Sequence, residues 1–150
     1  MGVSSVEAPT FKKAPSGGPA NMAVGVSKLR RSFTFIDKIG DDEFGYMLAD
    51  ILKQNNVDNS GMRFNHSART ALAFVTFKAD SEREFLVFCH PSADMRLDES
   101  KLDINLIKQT KIFHYGSISL IEEPCKSVHL VGGKSTEETA SSRQKIFGII

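Results

Sequence analysis

The residues best suited to bind a ligand form a glycine turn that leads straight into an apolar helix start. Gly17 and Gly18 let a backbone approach a bound molecule closely, and Pro19 suits a first helical turn because its missing N–H would be unpaired there anyway. Asn21 places an amide, which both donates and accepts hydrogen bonds, where helix N–H groups point outward. This pattern predicts a corner that binds a polyol, and an ordinary helix entry is the alternative that the same residues allow.

Three further blocks follow this turn, which belongs to the segment SGGPANMAVGV. They read IGDDEFGYMLADIL at residues 39–52, RTALAFV at residues 69–75 and FHYGSISL at residues 113–120. In this order the blocks resemble the ribokinase-like (pfkB) carbohydrate kinase family and, within it, the plant fructokinases. The resemblance runs from about residue 3 to residue 129.

The resemblance implies a sugar kinase that converts ATP and D-fructose to D-fructose 6-phosphate and feeds sugar and starch metabolism. ATP and Mg are the cofactors that it implies, and D-fructose or a similar sugar is the ligand. Gly17, Gly18 and Asn21 are the substrate-binding residues that it implies. It also implies weaker sugar-site or lid positions, namely Gly40, Asp42, Phe88 and Cys89.

The phosphate side of the reaction has no counterpart among these blocks. Phosphoryl transfer needs backbone groups that cradle phosphates and a base that takes the hydroxyl proton. The family supplies both through a Gly-Ala-Gly-Asp motif, and the sequence contains neither Gly-x-Gly-Asp nor a Walker-type loop. We therefore expect no catalytic residue in this chain, no ATP or Mg bound by the chain alone, and a truncated, inactive kinase.

Two positions at the end of the lid depart from the family. Plant fructokinases have Tyr and Arg where this sequence has Phe88 and Cys89, directly before the shared PSADM segment. A thiol cannot replace the several directed hydrogen bonds of a guanidinium, and each such bond is worth about 1.5–3 kcal/mol, or roughly ten- to hundred-fold in affinity. We expect weak sugar binding. The alternative function is a non-catalytic one, either a sugar-binding remnant or a partner that docks on an intact kinase subunit.

The sequence also contains four candidate zinc ligands, namely Cys89, His90, Cys125 and His129. Cys125 and His129 are four residues apart and would share one helical face. No Cys-x-x-Cys pair occurs and the two pairs are distant in sequence, so we expect no metal.

The composition excludes several other classes of protein. A net charge of +1 with interleaved acids and bases gives no electrostatic footprint for nucleic acid or anionic lipid. No apolar run approaches the ~20 residues that span a bilayer, and two cysteines are too few for a disulfide framework. We expect a cytoplasmic protein that binds neither nucleic acid nor membrane.

The elements that must position these residues alternate between helix and strand. After an extended lead-in, the spacing predicts a helix over residues 20–31 and a short strand over 32–36. Asp41 or Asp42 can cap a helix over 44–52, and residues 57–64 form a parallel strand. Farther along, the patterns predict a β-hairpin over 69–89, a helix over 98–110, a strand over 111–115 and a helix opened by Pro124 that Gly132-Gly133 breaks.

These elements predict an α/β fold, a partial ribokinase-like three-layer sandwich with a mostly parallel sheet and a β-hairpin lid. We assign residues 1–131 to the N-terminal part of that domain and residues 132–150 to a divergent, disordered tail. Both faces of the hairpin are apolar, which favours a homodimer or heterodimer through the lid. We also expect the strand at 111–115 to lack a partner, which would make the chain marginally stable.

Overall fold

The structure is a computed structural model that describes residues 6–77, 82–89, 91–137 and 146–149. Four helices lie in it: α1 (Gly18–Lys28), α2 (Glu43–Gln54), α3 (Ile104–Lys108) and α4 (Cys125–Glu137). Six strands accompany them: β1 (Phe33–Gly40), β2 (Asp58–Asn65), β3 (Leu72–Phe77), β4 (Arg83–Phe88), β5 (Ile112–Tyr115) and β6 (Ile146–Ile149).

The strands form two separate sheets. The central sheet has the order β2-β1-β6-β5, and all three of its neighbouring pairs are parallel. The second sheet is the antiparallel hairpin β3–β4, whose register places Leu72 opposite Phe88 and Phe77 opposite Arg83. The predicted α/β class with a mostly parallel sheet is therefore confirmed. The antiparallel pair β3–β4 lies where the sequence placed the hairpin, and its role as a lid stays a prediction.

Helices cover both faces of the central sheet, and β1 shows how. Phe33, Phe35 and Ile39 alternate along the strand and pack with residues of α1 and α2. Ile36 points to the opposite face and packs with Leu97 and with residues of α3 and α4. Two apolar cores, one on each face, give the three layers that the resemblance implied.

The N-terminal half has helix ends that differ in quality. Asp42 caps α2 as predicted, since its carboxylate accepts a hydrogen bond from the backbone N–H of Gly45 at 2.9 Å. The end of α1 is less favourable, because Arg30 adopts φ 58° just beyond it, a left-handed conformation that suits glycine. The predicted helix over 20–31 therefore begins earlier and ends earlier, at Gly18 and Lys28.

The predicted helix over residues 98–110 is wrong in extent. The chain instead forms a 3-10 turn at Glu99–Lys101 and the short helix α3. Asp103 separates them, because its carboxylate accepts hydrogen bonds from the backbone N–H groups of Asn105 and Leu106 and starts a new helix.

The predicted break of the last helix at Gly132-Gly133 is also wrong. Gly132 and Gly133 do not break the last helix, which continues to Glu137. Close packing explains the first glycine, since a Cβ added at Gly132 would lie 2.6 Å from Cζ of Phe113 on β5. A strand, β6, also lies at Ile146–Ile149. The division of domains at residue 131 and the disordered tail stay predictions.

Strand β6 pairs with two strands at once. Ile146 lies opposite Phe33 on β1 and opposite Ile112 on β5, and both pairings run parallel to Ile149. The expectation that the strand at 111–115 lacks a partner is therefore wrong, because the chain's own last strand fills the position beside it.

Candidate functional site

The glycine turn at the start of α1 has the geometry that a close backbone approach requires. Gly17 adopts φ 140°, which strains any residue with a side chain, and its carbonyl accepts a hydrogen bond from the N–H of Asn21 at 2.9 Å. A Cβ added at Gly18 would meet nothing within 4 Å, so the fold itself does not require glycine there. Of the predicted glycine pair, Gly17 is the one that the backbone needs.

Asn21 lies beside a cavity of about 270 Å³ between α1, α2 and β1. Most of its lining is apolar, from residues such as Phe35, Ile39 and Leu48. The polar residues that line it are Ser16, Asn21, Lys28, Asp37 and Asn55. Apolar walls with a few convergent polar groups are typical of small-molecule sites.

Asp37 is the residue of this cavity that the sequence reasoning missed. It lies in the middle of β1 and is 2% exposed, and its Oδ1 accepts a hydrogen bond from the N–H of Lys38 at 2.7 Å. Burial raises the pKa of Asp37 well above its ordinary value, the Lys38 N–H opposes this, and the nearby charge of Asp94 adds to it. The signal in the sequence was an acid at the same alternation as the apolar residues Phe35 and Ile39.

Gly40 and Asp42, two of the weaker sugar-site predictions, are fixed by contacts with Thr70. The Gly40 N–H donates to Oγ1 of Thr70 at 3.1 Å, and the N–H and hydroxyl of Thr70 both donate to the Asp42 carboxylate at 2.8 Å. Burial raises the pKa of Asp42, but the hydrogen bonds from Thr70 and Gly45 outweigh it and the net pKa is lowered. These bonds join the start of α2 to the segment that leads into the hairpin.

A polar cluster lies beside this junction, where β1 and β2 end. The Asp41 carboxylate accepts a hydrogen bond from the hydroxyl of Tyr46 and pairs with Nδ1 of His66. The bond from Tyr46 is the largest cause that lowers the pKa of Asp41, followed by the bond from His66. Ligands of open α/β sheets bind at the carboxyl ends of strands, which is where this cluster lies.

The end of the hairpin is more open than the cavity. Phe88 is 58% exposed and contacts the ring of Phe74, with 5.8 Å between ring centroids. Cys89 is half-buried, and its carbonyl accepts hydrogen bonds from the N–H and hydroxyl of Ser92. Of the predicted sugar positions, the cavity lining includes Asn21 alone. The positions that it leaves out are Gly17, Gly18, Gly40, Asp42, Phe88 and Cys89, so the structure does not bring all of them together.

Cys125 and His129 are held by local bonds within the layer formed by α4. The Cys125 thiol donates to the carbonyl of Asp94 at 2.9 Å, and burial is the main reason why its pKa rises to about 11. His129 donates through Nδ1 to the Cys125 carbonyl at 2.6 Å, and burial lowers the pKa of its ring. Nε2 of His129 is buried with no hydrogen bond partner in the described ranges. Those ranges, which do not include His90, contain no group of three His, Cys, Asp or Glu side chains that could hold a metal ion.

Comparisons with known proteins agree with this geometry. Residues 2–140 match the sequence pattern of the pfkB family carbohydrate kinases. The chain is 70% identical over 140 residues to probable fructokinase-7 of Arabidopsis thaliana, covering 93% of this chain and 41% of that protein. It is 63% identical over 137 residues to the probable chloroplastic fructokinase-6 of the same plant, covering 91% of this chain and 36% of that protein.

Solved structures extend the same comparison to the fold. The fructokinase of Xylella fastidiosa with bound ATP superposes with a TM-score of 0.82 at 27% identity, over 97% of this chain and 46% of that one. The chain thus spans about two fifths of the length of the curated relatives described above. No helix in the described part of the chain is long and apolar enough to cross a membrane.

Proposed function

The chain belongs to the pfkB family carbohydrate kinases, and we propose that it carries the sugar-binding part of a fructokinase. In that reaction the terminal phosphoryl group of ATP passes to a hydroxyl oxygen of D-fructose, the hydroxyl proton goes to a base, and ADP and D-fructose 6-phosphate result. The observation that carries the proposal is the 70% identity over 140 residues to a protein named as a fructokinase.

The sugar side of the proposal rests on the turn before α1. The backbone of Gly17, with φ 140°, lets a sugar ring lie close to the chain, and the amide of Asn21 donates and accepts hydrogen bonds to adjacent hydroxyl groups. Gly18 adds open space beside them. Phe88 and Cys89 are the lid positions of the proposal, although they do not line the cavity beside Asn21. A thiol in place of an arginine there weakens sugar binding.

The phosphate side lies outside this chain in the proposal. The sequence holds no Gly-x-Gly-Asp segment, so the catalytic base and the backbone cradle for phosphate come from other residues of the complete enzyme. ATP and Mg bind there. The chain alone binds D-fructose weakly and does not phosphorylate it, and it acts in the cytoplasm.

Two measurements on the purified chain test this proposal. Calorimetric titration with D-fructose should show weak binding that Asn21→Ala abolishes, because the amide is a main polar contact. Incubation with ATP, Mg and D-fructose should give no D-fructose 6-phosphate above an empty preparation. Product that disappears when a residue of this chain is mutated would show that the catalytic base lies within residues 1–150.

A second candidate function is favoured by the exposed hairpin. All six residues of β4 are exposed, and one face of the hairpin presents the apolar side chains of Val75, Phe77, Phe85 and Val87. An exposed apolar sheet is a template for association. In this proposal the chain is a non-catalytic partner that forms a homodimer, or a heterodimer with an intact kinase subunit, through β3–β4.

Co-purification with an intact plant fructokinase tests the second candidate. The chain should elute together with the kinase, and Phe85→Lys should release it. Asp50→Asn, at an exposed position of α2, is the surface control and should not change the elution. Separate elution of the wild-type chain would contradict the heterodimer.

A further inference from the structure

Asp37 occupies a position in β1 that an apolar residue would ordinarily fill. Side chains alternate along a strand, so Asp37 shares the face of Phe35 and Ile39, which pack into the core formed with α1 and α2. All three residues line the cavity, and Asp37 is 2% exposed. An acid is rarely placed so deep unless it is paired.

Few hydrogen bonds or ion pairs from the described residues offset the burial of the Asp37 carboxylate. Its hydrogen bond comes from the neighbouring N–H of Lys38, which donates to Oδ1 at 2.7 Å. Lys28 also lines the cavity, but the ion pairs of the described residues do not include one between Lys28 and Asp37. Oδ2 therefore keeps its capacity to accept hydrogen bonds from a molecule in the cavity.

The other polar groups of the cavity decide which kind of molecule fits. Asn21 carries an amide, Ser16 a hydroxyl and Lys28 an ammonium group, so the lining supplies hydrogen bond donors as well as the acceptor Asp37. The amide of Asn55 already donates to the carbonyl of Ile51 at 2.8 Å. A metal cation would need more carboxylates than one, and an anion would be repelled by Asp37. A neutral molecule with several hydroxyl groups satisfies both kinds of partner. The volume of about 270 Å³ is slightly below the usual range of small-molecule sites, about 300–1,000 Å³, and suits a small ligand.

We propose that Asp37 is a sugar-binding residue, whose Oδ2 accepts hydrogen bonds from adjacent hydroxyl groups of a polyol held between α1, α2 and β1. The inference rests on the proposed function and extends it, because it places the sugar in this cavity and adds a carboxylate to Asn21.

The test measures affinity and stability on the same variants of the full chain. D-fructose and sorbitol are the probes, titrated calorimetrically into wild type, Asp37→Asn, Asn21→Ala and the surface control Asp50→Asn. Asp37→Asn should weaken binding roughly 10- to 100-fold, as expected for the loss of hydrogen bonds to a charged group. It should also raise the melting temperature, because it removes a buried charge; a merely structural role would move affinity and stability in the same direction.

The outcomes separate this inference from the proposed function. If Asn21→Ala weakens D-fructose binding and Asp37→Asn does not, the inference is overturned and the sugar site at Asn21 stands. If sorbitol binds through Asp37 and D-fructose does not bind, the inference stands and the fructokinase proposal is overturned for this chain. If neither polyol binds the wild-type chain, both are overturned.

Discussion

The two sheets are built from similar residues but have opposite environments. Phe33 and Phe35 in the central sheet are at most 2% exposed, whereas Phe85 and Phe88 in the hairpin are each 58% exposed. The strands of the central sheet lie between helices on both faces, and no buried residue of either core cluster comes from the hairpin. Burial therefore follows from the layers around a strand, and apolar composition by itself does not determine it.

The largest test of this difference removes one buried and one exposed aliphatic side chain. Ile36→Ala should lower the free energy of unfolding by about 2–5 kcal/mol, because the side chain of Ile36 on β1 is fully buried against the layer of α3 and α4. Leu86→Ala on the hairpin should change it by no more than about 0.5 kcal/mol, since Leu86 is exposed. Urea denaturation followed by circular dichroism measures both.

Similar effects of the two substitutions would contradict the difference in burial between the central sheet and the hairpin. A large loss for Leu86→Ala would mean that the hairpin is covered in solution, and the same measurement at several protein concentrations would identify self-association as the cause.

The second test concerns charge. Asp37→Asn should raise the free energy of unfolding at pH 7 by about 1–3 kcal/mol, because it removes a poorly compensated buried carboxylate and keeps an acceptor for the Lys38 N–H. Glu84→Gln on the exposed hairpin should be neutral within about 0.5 kcal/mol.

The stability difference between Asp37→Asn and wild type should depend on pH in a definite direction. The pKa of Asp37 is raised in the folded state, so protonation stabilises the fold below the unfolded-state pKa, and this stability is lost as the pH rises through the folded-state pKa. The advantage of Asp37→Asn should therefore shrink on acidification. The pKa of His129 is lowered in the folded state, so this residue reduces the stability of the fold at pH values below about 6.5. Because His129 is present in both proteins, its contribution cancels in the difference between them. An advantage that does not change from pH 7 to pH 4 would contradict the buried charge.

The third test adds volume to each sheet. A Cβ at Gly61 on β2 would lie 2.6 Å from Cγ1 of Ile36 and 2.9 Å from the carbonyl oxygen of Phe35. Gly61→Ala should therefore destabilise the chain by about 1 kcal/mol, overpacking outweighing the smaller gain from a less flexible unfolded state. Ala73→Val on the exposed hairpin should not destabilise it, and thermal melts of the two variants should move apart.

The sequence was sufficient for the helices and strands whose signals are local. Helix α2 has both a cap at Asp42 and an apolar stripe, and the hairpin has two β-rich runs around a turn. The elements that it missed depend on distant contacts. Gly132 lies inside α4 because the helix packs closely on Phe113, and β6 is a strand because β1 and β5 leave a position between them.

The candidate site was predictable to a similar extent. The turn at Gly17 has the conformation that its residues favour, and Asn21 does line a cavity. The role of Asp42 in holding Thr70 required knowledge of a segment 28 residues away. Asp37 was missed because a single acid has little weight in a pattern of alternating apolar residues, although the fold makes it a buried carboxylate in the lining of the cavity.

The smallest effect on folding stability is expected from a charge on the hairpin surface. Phe85→Lys should leave the free energy of unfolding within about 0.5 kcal/mol of wild type, because Phe85 is exposed. It should nevertheless reduce self-association and the binding of hydrophobic dyes, since it interrupts the apolar face. Analytical ultracentrifugation and dye fluorescence measure this, and an unchanged sedimentation profile would exclude this face as the contact.

The position of β6 also affects how the chain folds during its synthesis. Its partners on β1 lie more than a hundred residues earlier, so β1 leaves the ribosome long before the strand that pairs with it. Until then the central sheet exists as two separate pieces, β1–β2 and β5, each with an open edge. Pairing between such distant segments slows folding, since a long loop must close before the contact forms. During synthesis these open edges are accessible to chaperones and to other nascent chains, a vulnerability that ends only when Ile146–Ile149 has emerged.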